Sequence, residues 1–219
     1  MESTTNSSQA CLICGGTLKD AMGNPCPKCT SKENKTIPII AGIPAQYQGV
    51  GFDKSFLPME LQGKYGEFME ELMITIINDI AFYQKNLVIC SRPNSGKTVW
   101  TYNLYSELTA KGYKLPTLRD ITEVRNILNS YENKEEAVLY SEARCAVIKL
   151  PRDMQPWMFD TMSYVIERRV RNNGFTIFLF GGTLEELKML DKFGRLGYLR
   201  GTGAYNTVQI ESFEKENRK

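Results

Sequence analysis

From Tyr65 to Ile80 the apolar residues Tyr65, Phe68, Met69, Leu72, Met73, Ile76, Ile77 and Ile80 return every three or four positions. That spacing predicts one buried face of a long helix. The pattern then changes character. NLVICS at 86–91 is a short, unbroken apolar run, and CAVIKL at 145–150 and GFTIFLFG at 174–181 repeat it. Runs of this kind are strands covered on both faces. Between them the spacing predicts helices over Val99–Lys111, ended by Gly112, over Leu118–Leu128, over Pro156–Asn172, ended by Asn173–Gly174, and over Leu184–Leu190. Residues 113–118 are compatible with a strand, and Thr207–Ile210 reads as the last one. Strands alternating with helices predict an α/β fold with a mostly parallel sheet flanked by helices.

The segment joining the first strand to the following helix carries the clearest chemistry. Ser91, Arg92, Pro93, Asn94, Ser95, Gly96, Lys97 and Thr98 read SRPNSGKT. The phosphate-loop pattern is G-x-x-x-x-G-K-[ST], and Gly96, Lys97 and Thr98 match it, whereas Ser91 replaces the first glycine. Such a loop curls backbone N–H groups around phosphate oxygens at a helix N-terminus. Lys97 is expected to meet the β- and γ-phosphates of ATP and Thr98 to hold Mg²⁺.

A hydrolytic site of this class also needs acids at the end of a neighbouring strand, to hold the metal and polarise water. After CAVI the chain instead reads Lys149, Leu150, Pro151 and Arg152. Asp153 follows, either as a solvated loop carboxylate or as a displaced acid. The expectation is therefore ATP binding with weak or absent hydrolysis.

Composition narrows the chemistry further. The 219 residues include no histidine, which excludes His-based acid–base catalysis, Ser-His-Asp triads and His metal ligands. A net charge of +2 argues against a protein dominated by nucleic-acid charge, though not against a local patch. No apolar run approaches membrane-spanning length, and the start MESTTNSSQA lacks the apolar core of a signal peptide, so a cytoplasmic location with no membrane partner is expected. Four of the six cysteines form Cys11-x2-Cys14 and Cys26-x2-Cys29. Two such knuckles can place four thiolates around Zn²⁺; a redox dithiol or an iron–sulfur cluster is the alternative. Cys90 and Cys145 fall in apolar strands and read as small core residues.

Residues 1–10 read as disordered, 11–30 as a small four-cysteine zinc ribbon, 31–37 as a linker, 38–212 as the nucleotide-binding domain and 213–219 as a charged tail. Arg168, Arg169 and Arg171, with Lys149 and Arg152, offer either a DNA-tracking surface or solvated faces. Trp100, Tyr102 and Tyr105 offer base stacking or core packing, with core preferred for Trp100.

The paired knuckles are followed by IPAQYQGVGFDKSF at 43–56 and then by the strand and phosphate loop. Together these resemble the bacterial replicative-helicase loaders of the DnaC/DnaI type, AAA+ ATPases related to the IstB transposition ATPases. Ile43, Pro44, Tyr47, Phe52 and Asp53 fit that family's "IP-x-x-[YF]" start and aromatic-acidic segment. VIERRVRNNGFTIFLFGGTLEEL at 165–187 resembles its later run, and the likeness covers about residues 37–210. The resemblance implies an AAA+ core that assembles, in a bacterial cell or phage-infected host, on a hexameric replicative helicase and single-stranded DNA, with homo-oligomers possible. It implies an arginine finger at Arg195 or Arg200, within KFGRLGYLRG; an ordinary surface arginine is the alternative for both. The departures are the missing acids, Gly181 where a polar sensor is expected, and Asn206 where an arginine is expected. An IstB-like ATPase on duplex DNA and a non-hydrolysing adaptor or inhibitor of helicase loading are the competing readings.

Overall fold

The computed structural model describes residues 43, 44, 52, 57, 62–196 and 209–213, all within the larger of the two units into which the chain divides, Ile39–Lys219. The described elements run α1 (Lys64–Asp79), β1 (Leu87–Cys90), α2 (Lys97–Ala110), β2 (Arg119–Asp120), α3 (Ile121–Asn129), α4 (Lys134–Glu142), β3 (Cys145–Leu150), α5 (Pro156–Arg171), β4 (Phe175–Phe180), α6 (Leu184–Leu190) and β5 (Gln209–Ser212). The five strands form one sheet in the order β2-β3-β4-β1-β5, and every pairing is parallel.

The unbroken apolar runs explain the layering. Successive residues of a strand point to opposite faces, and here both faces are covered. Leu87 and Ile89 of β1, Cys145 and Val147 of β3, and Phe175, Ile177 and Leu179 of β4 pack with α1 and α2. Val88 and Cys90, Ile148 and Leu150, and Phe178 and Phe180 face the other way, against α3, α5 and α6. Trp100 is fully buried on the first face, and its indole N–H donates to Met69 O at 2.7 Å, which ties α2 to α1. Cys90 and Cys145 are buried core thiols, as their apolar strands predict.

The register sets where the strands end. Cys90 pairs with Phe180 and Ser212, and Phe180 pairs with Leu150. The loops that leave β1, β3 and β4 therefore emerge from the sheet at one level. The chain steps from β1 out to the edge strand β2 and returns through β3 and β4 to a position beside β1. Crevices beyond the carboxyl ends of strands at such a switch of direction are where open α/β sheets bind ligands.

Local departures from the expected elements have identifiable causes. Residues 113–118 form no strand; Pro116 removes a ladder donor, and only Arg119–Asp120 pairs with β3. The helix expected from Leu118 begins at Ile121, because the Asp120 carboxylate accepts the N–H groups of Thr122 and Glu123 at 2.9 and 3.0 Å and caps it. α4 has no counterpart in the apolar spacing, since Tyr140 and Ser141 are its buried residues. Gly112, at φ +87°, ends α2 as expected.

Arg169 does not join the surface cluster read from the sequence. It is fully buried, and its guanidinium donates to Tyr140 O at 2.8 Å, Ala143 O at 2.7 Å and Phe175 O at 2.8 Å. These carbonyls belong to the end of α4, the turn after it and the start of β4, so one side chain ties three segments together. Burial pulls its pKa down to about 10, which still leaves it charged at neutral pH. Its neighbour in space, Arg144, gathers the carbonyls of Ile80 and Tyr83 beyond α1, each at 2.8 Å. An Arg169→Met substitution strands the three carbonyls, and we expect a loss of about 3–5 kcal/mol of stability, read as a lowered midpoint in urea unfolding at unchanged slope; Arg169→Lys, which cannot span the three acceptors, recovers less than half of it.

Candidate functional site

The loop from Ser91 to Thr98 lies between a strand buried along its whole length and a helix whose N-terminus no side chain caps. Its first-turn N–H groups are thereby left to an external acceptor. Gly96 precedes the helix at φ +77°, a left-handed conformation that favours glycine. Any side chain added there would also meet Leu57 Cδ2 at 2.6 Å. Asn94 is left-handed too, at φ 61°, so the loop turns sharply twice. Arg92, Pro93 and Asn94 are exposed, whereas Ser91 and Ser95 are buried.

Lys97 bends back into this loop. Its ammonium donates to Ser91 O at 3.0 Å, Ser91 Oγ at 2.9 Å, Arg92 O at 2.9 Å and Ser95 Oγ at 2.8 Å. The two serine hydroxyls lie 2.8 Å apart, and Tyr65 of α1 donates to Ser95 O at 2.9 Å. Among the described residues the ammonium is thus held by neutral acceptors alone, and burial pulls its pKa down to about 8. Beside it, burial raises the pKa of the Tyr65 hydroxyl, so that group remains a donor at neutral pH. Backbone donors, a glycine that admits close approach and a desolvated cation held without a carboxylate fit a polyphosphate.

The donor set for a metal-bound, hydrolytic water is thinner. Thr98 is half-buried in the first turn of α2. At the end of β3, Lys149 and Arg152 are exposed and Leu150 is buried. Asp153 is exposed, just beyond Arg152, with its carbonyl accepting from Gln155 Nε2 at 3.1 Å. Among the described residues no three cysteine or acidic side chains are grouped to hold a metal. Arg152 pairs instead with Glu186 at 2.9 Å, across the ends of β3 and β4. Glu186 is fixed in turn by a reciprocal cap with Thr183, at 2.7 and 2.9 Å. An ion pair therefore joins the segments beyond β3 and β4, in the region where hydrolytic acids and a polar sensor are expected. Gly181 follows β4 and faces open space.

The other expected site residues separate. Arg195 is committed within its own subunit: it pairs with Asp160 at 2.6 Å and donates to Pro156 O at 2.7 Å. Tyr102 and Tyr105 are buried on α2 and present no stacking face, and the Tyr105 hydroxyl accepts from Val147 N at 2.8 Å. Arg168 and Arg171 are exposed at the end of α5. Cys11, Cys14, Cys26, Cys29, Tyr47, Asp53, Arg200 and Asn206 lie outside the described residues, as do the expected disordered start, zinc ribbon, linker and all but the first residue of the tail. Tyr65 was legible as a core helix position but not as a partner of the loop, because a contact between residues 65 and 95 leaves no local signature.

Comparison with known structures bears on the fold. No family model matches the chain, and no curated protein matches its sequence. A crystal structure of a candidate primosome component from Streptococcus pyogenes serotype M3 superposes with a TM-score of 0.53 at 15% identity, covering 81% of this chain and 92% of that one. The DnaC helicase loader superposes with a TM-score of 0.51 at 13% identity, covering 76% of this chain and 99% of that one. The chain shares the fold of these two structures. DnaI gives a TM-score of 0.46 at 14% identity, covering 80% of this chain and 94% of that one. The fold shared with the first two structures is an α/β core with a five-stranded parallel sheet flanked by helices, as the resemblance implied, at low sequence identity. Among the described residues no helix is long and apolar enough to cross a membrane.

The lowered pKa of Lys97 gives a signed expectation. In the free loop the amine loses its proton above about pH 8, whereas a bound anion keeps it charged. Anion binding above that pH takes up a proton, so affinity for inorganic triphosphate falls by up to about tenfold per pH unit between pH 8 and the higher pKa of the bound state. Calorimetry in buffers of different ionisation enthalpy measures that proton uptake; pH-independent binding from roughly pH 7 to pH 10 would contradict the assignment.

Proposed function

We propose that the chain is an ATP-binding accessory protein of DNA replication that loads or remodels a ring-shaped replicative helicase on single-stranded DNA, with weak or absent ATP hydrolysis. The observation that carries the nucleotide part is the desolvated Lys97 ammonium, held by neutral acceptors in a glycine-turned loop at an uncapped helix N-terminus. Backbone amides of the loop from Ser91 to Thr98 hold the phosphates, Lys97 supplies the compensating charge, and Thr98 is the candidate Mg²⁺ ligand. ATP would supply the phosphate chain whose presence or absence the loop reports. What supports slow turnover is the end of β3, where exposed Lys149 and Arg152 stand in place of acids. Loss of one group that stabilises a transition state commonly costs about 10²–10³ in rate.

The replication role rests on the fold shared with the DnaC helicase loader together with the sequence motifs. Arg200 is the remaining candidate for an arginine finger toward a second copy, since Arg195 is engaged with Asp160. Cys11, Cys14, Cys26 and Cys29 form a structural Zn²⁺ site in residues 11–30.

Lys97→Ala is expected to weaken ATP binding at least about a hundredfold, through loss of a charge-assisted contact, measured by calorimetry. Purified wild-type protein turns ATP over far below ordinary ATPase rates, and Asp153→Asn leaves that rate unchanged. Ordinary turnover abolished by Lys97→Ala would overturn the slow-hydrolysis reading. A pull-down with a hexameric helicase, with and without ATP, tests the partner; filaments on duplex DNA without helicase contact would favour the transposition-type reading instead. Elemental analysis is expected to give one zinc per chain, lost on Cys26→Ser.

A further inference from the structure

We propose that Ser91 and Tyr65 form a latch that keeps the phosphate loop closed on its own lysine, so that an entering phosphate must displace Ser91 and Ser95 from Lys97. The inference rests on the phosphate-binding reading and adds to it how the loop is held before a ligand enters. An ammonium has three protons, and four acceptors stand within 3.0 Å of Lys97 Nζ. Its three protons are therefore all engaged without any ligand; the Ser91 hydroxyl takes a share of them and also anchors the Ser95 hydroxyl, so its removal loosens two of the four acceptors. One of those acceptors is a hydroxyl at the position where the loop pattern has glycine, which has no side chain to offer. The Ser91 hydroxyl lies 2.9 Å from the Lys97 ammonium and 2.8 Å from the Ser95 hydroxyl, so it joins both sides of the loop.

Tyr65 closes the circuit from outside. Its hydroxyl meets Ser95 O at 2.9 Å and Ser95 Oγ at 3.3 Å. Its ring packs edge-on against Phe213, 5.1 Å between centroids, just beyond β5. Phe213 N donates to Cys90 O at 3.3 Å, immediately before Ser91. α1 and the end of β5 thus meet each other next to the loop, one bonded to Ser95 and the other to Cys90. Tyr65 and Ser91 act here as positioning residues: they set where Lys97 and Ser95 lie rather than touching a ligand. A shift of α1 that withdraws Tyr65 frees Ser95 and, through it, Lys97, so the position of α1 and the readiness of the loop are coupled.

The full chain and its Ser91→Ala and Tyr65→Phe variants decide the matter, with thermal melting to establish that each is folded. Two readouts are used. The first needs no nucleotide: water exchange of the Lys97 ammonium protons, followed in ¹H–¹⁵N spectra of the lysine side chains in mildly acidic buffer. The second is ATP affinity by calorimetry. The latch predicts that exchange at Lys97 accelerates by about tenfold in both variants while Lys111 is unchanged, and that ATP binds about tenfold more tightly. Unchanged exchange at Lys97 in both folded variants overturns the latch, whatever ATP does. Faster exchange with no ATP binding by any form leaves the latch standing and removes the nucleotide reading. Faster exchange with ATP bound no more tightly than by wild type also overturns the proposal, since the contacts would then not compete with phosphate.

Discussion

A desolvated ammonium must find acceptors, and the arrangement around Lys97 follows from that requirement. Folding α2 onto β1 carries the lysine out of bulk water, which favours the neutral amine and lowers its pKa. The protein compensates with carbonyls and hydroxyls of the same loop rather than with a carboxylate. A carboxylate would satisfy the cation permanently and compete with any anion. Neutral acceptors leave its charge uncompensated. The buried serines, the left-handed Gly96 and the Tyr65 clasp are local consequences of that one constraint.

The sheet fixes where this constraint is met. Because Cys90, Phe180 and Leu150 pair across the ladder, the loops beyond them share one edge. The loops beyond β3 and β4 are therefore the parts of the sheet that lie level with Lys97's loop. They present Lys149 and Arg152 at the end of β3, with the exposed Asp153 just beyond, and Gly181 and Gly182 after β4. The acid fixed in this region, Glu186, is engaged by Arg152 and by the cap of α6. Phosphate binding draws on backbone and lysine, which are in place. Hydrolysis draws on acids, and the one beyond β3, Asp153, follows the exposed Arg152.

How much of this was legible in sequence depends on how local each signal is. The strands β1, β3 and β4 announced themselves as unbroken apolar runs because both faces of the sheet are covered. The phosphate loop was legible because its residues are contiguous. α4 was not, since its buried residues are too few to set up a period. Arg169 was misread for a related reason. Beside Arg168 and Arg171 it looks like one more cation of a charged helix end, and only the tertiary approach of Tyr140, Ala143 and Phe175 gives it three carbonyls to bridge. Tyr102 and Tyr105 were open as stacking residues until the packing of α2 against the sheet buried them.

The same logic separates two arginine pairings. Arg169 is buried and bridges backbone carbonyls, so its contribution is structural and tolerates no exchange for an external partner. Arg195 is partly exposed and pairs with Asp160, itself mostly in solvent. A partly solvated pair of that kind contributes little to stability. Desolvation thus decides what each arginine does for the fold: the buried guanidinium ties three segments together, and the partly solvated pair adds little.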